Sequence, residues 1–332
     1  MSDPTVRDGA RHVVLGAGPV GWTTAALLAE RGHDVTIITR EGSGPAHPRV
    51  VHVRADAADP DALLAAAAGA TVLYNAASPP YRRWATEWPP LAASVLSAAE
   101  ALGAVLVSVG NLYGYGPVDH AMVETDPLAA TSTKGRVRAR VWDDIHRSHE
   151  AGRVRATELR SSDYFGPRVL MSQLGERIIP NVIAGKPARV LGDPDVRHSW
   201  TYITDVARAL ITLGHDERAW GRAWHTPTNP PLSQRQVIDA LSIEANGEPV
   251  PVRAFSPLMV RLLGLVVPDL RALAEISYQL DAPFVVDSSA AEATFGLRPT
   301  PMDEALGDTI RWYRDRWTTK ELAHGHGHRG SS

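Results

Sequence analysis

The chain has 332 residues, with 34 Lys plus Arg against 37 Asp plus Glu, a formal net charge of −3, 44% hydrophobic residues and no cysteine. That length exceeds the usual single-core size and predicts one large domain with an appended lobe, or two domains. Without cysteine there is no thiolate nucleophile, disulfide framework or Cys-ligated metal, and near-neutral, interspersed charge offers no field for nucleic acid.

The longest apolar stretches, such as Ala62 to Ala68 and Leu262 to Val267, are far short of a membrane span. The polar start MSDPTVRDGAR leads straight into an apolar run at His12, without signal-peptide character, so a cytoplasmic protein is expected. In chain order, apolar β-branched runs at 11–15, 34–39, 50–54, 71–75, 104–109 and 153–159 read as strands. Helical spacing at 20–31, 60–67, 84–102 and 134–149 alternates with them, which predicts an α/β fold with a parallel sheet covered on both faces. Residues 1–166 therefore read as the sheet domain. Residues 167–320, with their looser Pro- and Gly-rich pattern, read as mainly a smaller substrate-binding lobe. Within that lobe 198–226 is expected to return to the sheet, because Trp200–Ile203 followed by Thr204-Asp205 looks like a strand, an N-cap and a helix. The histidine-bearing tail 321–332 is low in complexity and expected to be disordered.

Gly16-Ala-Gly18-Pro-Val20-Gly21 follows the first strand and opens the first helix, the context a dinucleotide-binding loop requires. Gly16 permits the tight turn, Gly18 the approach of a pyrophosphate, and Gly21 close packing of helix on strand. Pro19 has no amide hydrogen, so Val20 and Gly21 must supply the phosphate contact at the helix N-terminus. The fold expected is a Rossmann-type doubly wound sheet. The second strand ends Ile38-Thr39-Arg40, where an NAD site carries an acidic acceptor; Arg40 instead suits a 2′-phosphate, which favours NADP(H) over NAD(H). A surface Arg40 pairing with Glu41 is the alternative. Asp56, just past the third strand, reads either as an acceptor for the adenine amino group or as a turn residue.

With Leu73-Tyr-Asn75-Ala76-Ala77, Val107-Ser108-Val-Gly-Asn111-Leu-Tyr113-Gly114, Asp163-Tyr-Phe-Gly166-Pro167 and Trp200-Thr-Tyr-Ile-Thr-Asp205 in place, the chain resembles the short-chain dehydrogenase/reductase superfamily. The likeness is to its extended and atypical members, NAD(P)-dependent epimerases and dehydratases, and runs from Gly16 to about Trp312. It implies that Ala76 and Ala77 border the cofactor, that Asp163 faces substrate where relatives carry Asn, and that helices 84–102 and 134–149 pair two copies into a homodimer. The catalytic Tyr slot of that superfamily falls on Lys134, its Lys slot on Arg138 and its Ser slot on Val109. All three depart from the pattern.

Lys134 and Arg138, four apart on a helix, share a face that the resemblance aims at the nicotinamide. A neighbouring guanidinium and partial burial disfavour protonated Lys134, which makes it a candidate acid or base; cofactor binding alone, or a solvated face, are the alternatives. Arg138 would hold the ribose or polarise a carbonyl. Ser108, Asn111, Tyr113 and Tyr115 lie at or beyond the carboxyl end of the fifth strand, where ligands bind in such folds. Tyr113 or Tyr115 would replace the missing phenol, Ser108 or Asn111 would donate to an oxyanion, and Tyr115, Asp163 and Trp200 would meet substrate. Helical stretches at 256–265 and 270–280 would form an apolar wall. His198 reads as a polar boundary residue, and no histidine spacing suggests a metal.

The function expected is an NADP(H)-dependent oxidoreductase or epimerase/dehydratase-like enzyme acting on a small hydroxyl or carbonyl compound. Non-redox isomerase or lyase chemistry, or a dinucleotide sensor without turnover, are the alternatives. No obvious basic cluster in the second lobe offers to hold a diphosphate, which argues against a sugar nucleotide.

Overall fold

The computed structural model describes residues 9–255, 275 and 277–325. The expected wall helices therefore lie outside the described residues, except for the turn at Tyr278–Asp281.

Alternating strands and helices open the chain: β1 His12–Leu15, α1 Pro19–Glu30, β2 Val35–Thr39, β3 Val50–Arg54, α2 Pro60–Ala66, β4 Val72–Asn75, α3 Trp84–Leu102, β5 Val105–Asn111, α4 Thr133–Glu150 and β6 Arg155–Ser161. Then come β7 Asp163–Phe165, α5 Ile179–Ile183, β8 Ala188–Val190, β9 Arg197–His198, β10 Trp200–Tyr202, α6 Ile203–His215, β11 Ala223–His225, β12 Leu232–Ser233, α7 Gln234–Asn246 and β13 Val252–Ala254. One seven-stranded sheet has the order β11-β6-β5-β4-β1-β2-β3. All its pairings are parallel.

Successive strand residues alternate between two cores, as the pleat requires. Val14, Ile37, Tyr74 and Val107 join α1 and α6 on one face, while Val13, Leu15, Ile38, Leu73 and Leu106 meet α2, α3 and α4 on the other. Both faces are dry, which is why these strands read as continuous apolar runs. Gly214 lets α6 lie on β4, since a Cβ there would come within 2.8 Å of the Tyr74 hydroxyl.

Strand 200–202 pairs with β7 in a separate two-stranded sheet, whereas 223–225 extends the main sheet beside β6. Tyr202, not Thr204, precedes α6 as its N-cap. Buried Asp205 in its first turn accepts from the Thr300 amide at 2.8 Å and hydroxyl at 2.7 Å, tying the C-terminal segment to the sheet. The last helix, Met302–Gly325, runs into the segment expected to be without structure. Among the described residues no helix is long and apolar enough to cross a membrane.

His12 is fully buried in β1, against the rings of Tyr74, His33 and His215. Burial, then the neighbouring His215 and His33, push its imidazole down to about 3. The folded chain thus resists a proton that the unfolded chain takes up below about 6.5, so stability falls as pH drops through that window toward 3. His225 is shifted in the same direction, by burial first. Urea midpoints measured between about pH 6.5 and pH 4 should therefore fall for the parent and fall less for His12→Leu; equal slopes would remove His12 from the acid response.

Candidate functional site

The strand order reverses direction between β1 and β4, and the crevice at that switch point is where doubly wound sheets bind ligands. A cavity of about 930 Å³ opens there, over the carboxyl ends of the strands. The β1–α1 loop forms one wall. Gly16 has φ +89°, and a Cβ there would come within 2.9 Å of the Ala77 Cα. At Gly21 a Cβ would lie 2.0 Å from the Gly16 carbonyl oxygen, so only glycine lets the helix start so close to the strand. Gly18 differs: nothing lies within 4 Å of its Cβ position, and it lines the cavity together with Val20. That open cradle beside a free helix N-terminus fits a pyrophosphate.

On the β2–β3 side Arg40, Glu41 and Asp56 line the same cavity. Arg40 is exposed and makes no ion pair with Glu41 or another acid among the described residues. Asp56 accepts from the Ala58 amide at 3.0 Å, which makes it a turn residue as well as a wall residue.

On the β4–β5 side Ala76 and Ala77 form the floor. Beyond them the cavity is lined by Tyr81, Trp84, Trp88, Asn111, Tyr113 and Arg138. The Tyr81 and Tyr113 hydroxyls share a hydrogen bond. Burial pushes Tyr81 well above the usual phenol range, with the Asp163 charge adding to it; for Tyr113 burial leads and Tyr81 adds. Both phenols keep their protons at neutral pH and are donors in waiting. Asn111 accepts from the Tyr113 amide at 3.1 Å and so fixes the turn that presents the ring.

Arg138 is 5% exposed, donates to the Val109 carbonyl at 2.5 Å, stacks 4.5 Å from the Trp88 ring and lies 3.7 Å from Glu158. Burial lowers its affinity for the proton and Glu158 opposes that, so it remains a fixed cation in the wall. Glu158 in turn binds Arg160 at 2.6 Å, and Gly110 leaves it room, since a Cβ there would lie 2.7 Å from its carboxyl carbon.

Gly21, taken up by packing against Gly16, does not line the cavity, and four further expected residues do not reach it. Lys134 is buried, and its Nζ donates to Glu275 at 2.7 Å, 5.7 Å from the centre of the Tyr81 ring. A carboxylate 141 positions away in sequence has captured it. Ser108 is fully buried in the middle of the sheet, because β5 continues past it to Asn111. Tyr115 turns beneath the site, where its hydroxyl meets His225 at 2.8 Å and Arg160 at 2.7 Å. Trp200 is 1% exposed and gives its indole N–H to the Leu232 carbonyl at 2.9 Å. Asp163 does line the cavity, and its carboxylate lies 3.0 Å from His198 Nε2.

Sequence reasoning missed Tyr81, Trp84, Trp88 and the partnership of His198. Ser78-Pro-Pro-Tyr81, a rigid turn directly after the switch-point strand, was the one local signal for the first.

The profile of the NAD dependent epimerase/dehydratase family matches residues 12–222. The chain belongs to that family. Among curated relatives, the dTDP-glucose 4,6-dehydratase of Neisseria gonorrhoeae is 24% identical over 218 residues, which is 64% of this chain and 59% of that protein. The match thus spans less than two thirds of the dehydratase's length. The UDP-glucuronic acid 4-epimerase of Bacillus cereus in complex with NAD superposes with a TM-score of 0.74 at 17% identity, covering 92% of this chain and 99% of the epimerase. MoeE5 in complex with UDP-glucuronic acid and NAD gives a TM-score of 0.74 at 21% identity, covering 93% and 100%. For this epimerase/dehydratase family member those likenesses show the fold.

The glycines separate two roles that substitution can distinguish. Gly18→Ala should fold like the parent yet bind NADP+ or NAD+ at least about tenfold more weakly, because its methyl occupies the phosphate cradle. Gly21→Ala should instead lower thermal stability by about 1–3 kcal/mol, since helix and strand must separate. Isothermal titration and thermal unfolding check the pair, and equal affinity for the Gly18 variant would remove the cradle.

Proposed function

We propose that the chain is a nicotinamide-dinucleotide-dependent oxidoreductase or epimerase/dehydratase-type enzyme, with NADP(H) preferred, acting on a small hydroxyl or carbonyl compound. The observation that carries this reading is the continuity of one cavity from the glycine loop and Arg40 to the hydroxyl pair of Tyr81 and Tyr113. When bound, the dinucleotide supplies hydride acceptance and donation. Gly18 and the Val20 amide would hold its pyrophosphate, and the Arg40 guanidinium its 2′-phosphate.

This chain's own residues supply the rest. Arg138, always charged and held against Val109 and Glu158, would stabilise negative charge developing on a substrate oxygen. The Tyr81–Tyr113 pair takes the place of the single phenol of the superfamily: each hydroxyl can pass a proton to the other, and the protonated state favoured by burial makes the pair a donor to that oxygen. Trp84 and Trp88 exclude water around them. Lys134, bound to Glu275 beside the Tyr81 ring, supports the phenols through its charge and does not carry the proton itself.

Glu41 favours a second reading of the cofactor. It lines the cavity where an NAD ribose would need an acceptor, and the similar solved structures described above hold NAD. Arg40→Ala separates the two. If NADP+ is preferred, the variant loses about tenfold or more in NADP+ affinity and little in NAD+ affinity; an unchanged ratio removes Arg40 from the site. Turnover is tested on UDP-glucuronic acid, dTDP-glucose and simple secondary alcohols. On any of them that reacts, Tyr113→Phe should lower kcat by about 10²-fold with the dinucleotide KM unchanged, whereas an equal kcat would rule out the phenol pair.

A further inference from the structure

The rim of the cavity changes character across the switch point. On the β2–β3 side its exposed residues include Arg40, Glu41, Ser43 and Asp56, all polar, as the adenosine end of a dinucleotide needs. On the other side Tyr81, Pro90 and Met171 stand exposed, beside Ser78 and Arg83. Met171 is 98% exposed and Tyr81 38%. A single uncovered methionine on a loose loop would mean little. The backbone around Met171 is instead tied at three points: the Tyr313 hydroxyl donates to the Val169 carbonyl at 2.6 Å, the Glu176 amide to the Leu170 carbonyl at 2.9 Å, and Ser172 Oγ to the Tyr164 carbonyl at 2.5 Å. A segment pinned so closely holds an apolar side chain in water at the mouth of the site, and covering it with hydrocarbon is favourable. Methionine, unbranched and polarisable, adapts to hydrocarbon of varied shape. Tyr81 is set by the turn before it, where Trp84 gives its indole N–H to the Pro79 carbonyl at 2.9 Å and packs its ring 4.7 Å from that of Tyr81. Buried Leu91, Leu112 and Phe284 continue the apolar lining inward.

The cations of the cavity are already committed. Among the described residues three arginines and no lysine line it. Arg40 stands at the dinucleotide end. Arg83 is bound to Glu87 at 2.6 Å, and Arg138 is held by the Val109 carbonyl at 2.5 Å and by Glu158 at 3.7 Å, which leaves it to the reacting oxygen. Asp163, a carboxyl group in the same wall, offers a phosphate nothing. A diphosphate on the substrate therefore meets no uncommitted cation among these residues, whereas a hydrocarbon surface meets a matching one.

We propose that the substrate is a ketone or secondary alcohol on a hydrocarbon skeleton, without a nucleoside diphosphate. Its reacting oxygen lies at the phenols and Arg138, and its apolar body lies against Tyr81 and Met171. The proposal rests on the nicotinamide-dependent reading above and names the substrate class of the same cavity. In the reductive direction the carbonyl carbon gains the hydride of the reduced dinucleotide and the C=O π bond breaks. Its electron pair moves to oxygen, which takes a proton from the Tyr81–Tyr113 pair, and water returns that proton to the pair.

The test uses the full chain saturated with NADP+ or, should it bind more tightly, NAD+. A ketone exchanges no hydride with the oxidised dinucleotide, so binding is read without turnover. Acetone, cyclopentanone, cyclohexanone and 2-decalone are titrated and followed by NMR, beside UDP and dTDP. Affinity should rise along the ketone series by about three- to fourfold for each methylene covered, and 2-decalone should bind more tightly than either nucleotide. Met171→Asp should weaken 2-decalone by about tenfold, and Met171→Leu should keep the parent's affinity. Both variants should melt with the parent and hold the dinucleotide equally, because the side chain they replace is 98% exposed. Equal affinity along the series, equal affinity in Met171→Asp, or tighter binding of UDP or dTDP than of 2-decalone overturns the proposal. If neither dinucleotide binds, the nicotinamide-dependent reading fails, and the same series titrated into the free chain still decides whether the mouth receives hydrocarbon.

Discussion

The structure depends on the close approach of the β1–α1 turn to the end of β4. With a Cβ position at Gly21 only 2.0 Å from the Gly16 carbonyl oxygen, and one at Gly16 within 2.9 Å of the Ala77 Cα, the first helix starts directly on the sheet and points its free amides over the switch point. Every other part of the candidate site is placed relative to that corner. β2 and β3 carry Arg40, Glu41 and Asp56 to one side of it, and β4 and β5 carry Tyr81, Asn111 and Tyr113 to the other.

Beneath the second side runs a buried polar chain. Arg138 touches Glu158, Glu158 binds Arg160, Arg160 donates to the Tyr115 hydroxyl, and that hydroxyl meets His225. The amide of His225 donates to Glu124 at 3.0 Å, and its Nδ1 lies 2.8 Å from the Asp287 carbonyl. Buried charges of this kind add little net stability, because desolvation offsets their attraction. What they provide is position: Arg138 sits at the cavity wall with its charge retained and its rotamer fixed from behind. Gly110 is part of the same device, since a side chain there would collide with Glu158.

Local patterns made much of this legible. The strands were readable because a sheet covered on both faces demands unbroken apolar runs, and the glycine loop because three backbone requirements fall within six residues. Helix α3 was read at Trp84–Leu102 despite Pro89 and Pro90 within it. The catalytic side was harder, because its partners are distant in sequence. Lys134 and Arg138 share a helix face by spacing, yet Arg138 lines the cavity and Lys134 is taken by Glu275, which no spacing rule connects to it. Ser108 and Asn111 sit on one strand, but only Asn111 reaches the open end. His198 gains its meaning from Asp163, Gln279 and Phe284, which come from separate segments joined only by packing. Tyr115 was expected at the substrate because it follows the carboxyl end of β5, and Trp200 because it flanks a segment read as part of the pocket; the side chains turn instead toward buried partners that satisfy their polar atoms.

The central claim is that a dinucleotide lies along this cavity with hydroxyl groups, not an amine, at its reacting end. A crystal structure of the full chain with NADP+ tests it most directly. The account predicts the pyrophosphate against Gly18 and the Val20 amide, the 2′-phosphate within about 3 Å of the Arg40 guanidinium, and the nicotinamide facing Tyr81, Tyr113 and Arg138, with Lys134 still bound to Glu275. A complex in which Lys134 has left Glu275 and directs its nitrogen at the nicotinamide ring would contradict it.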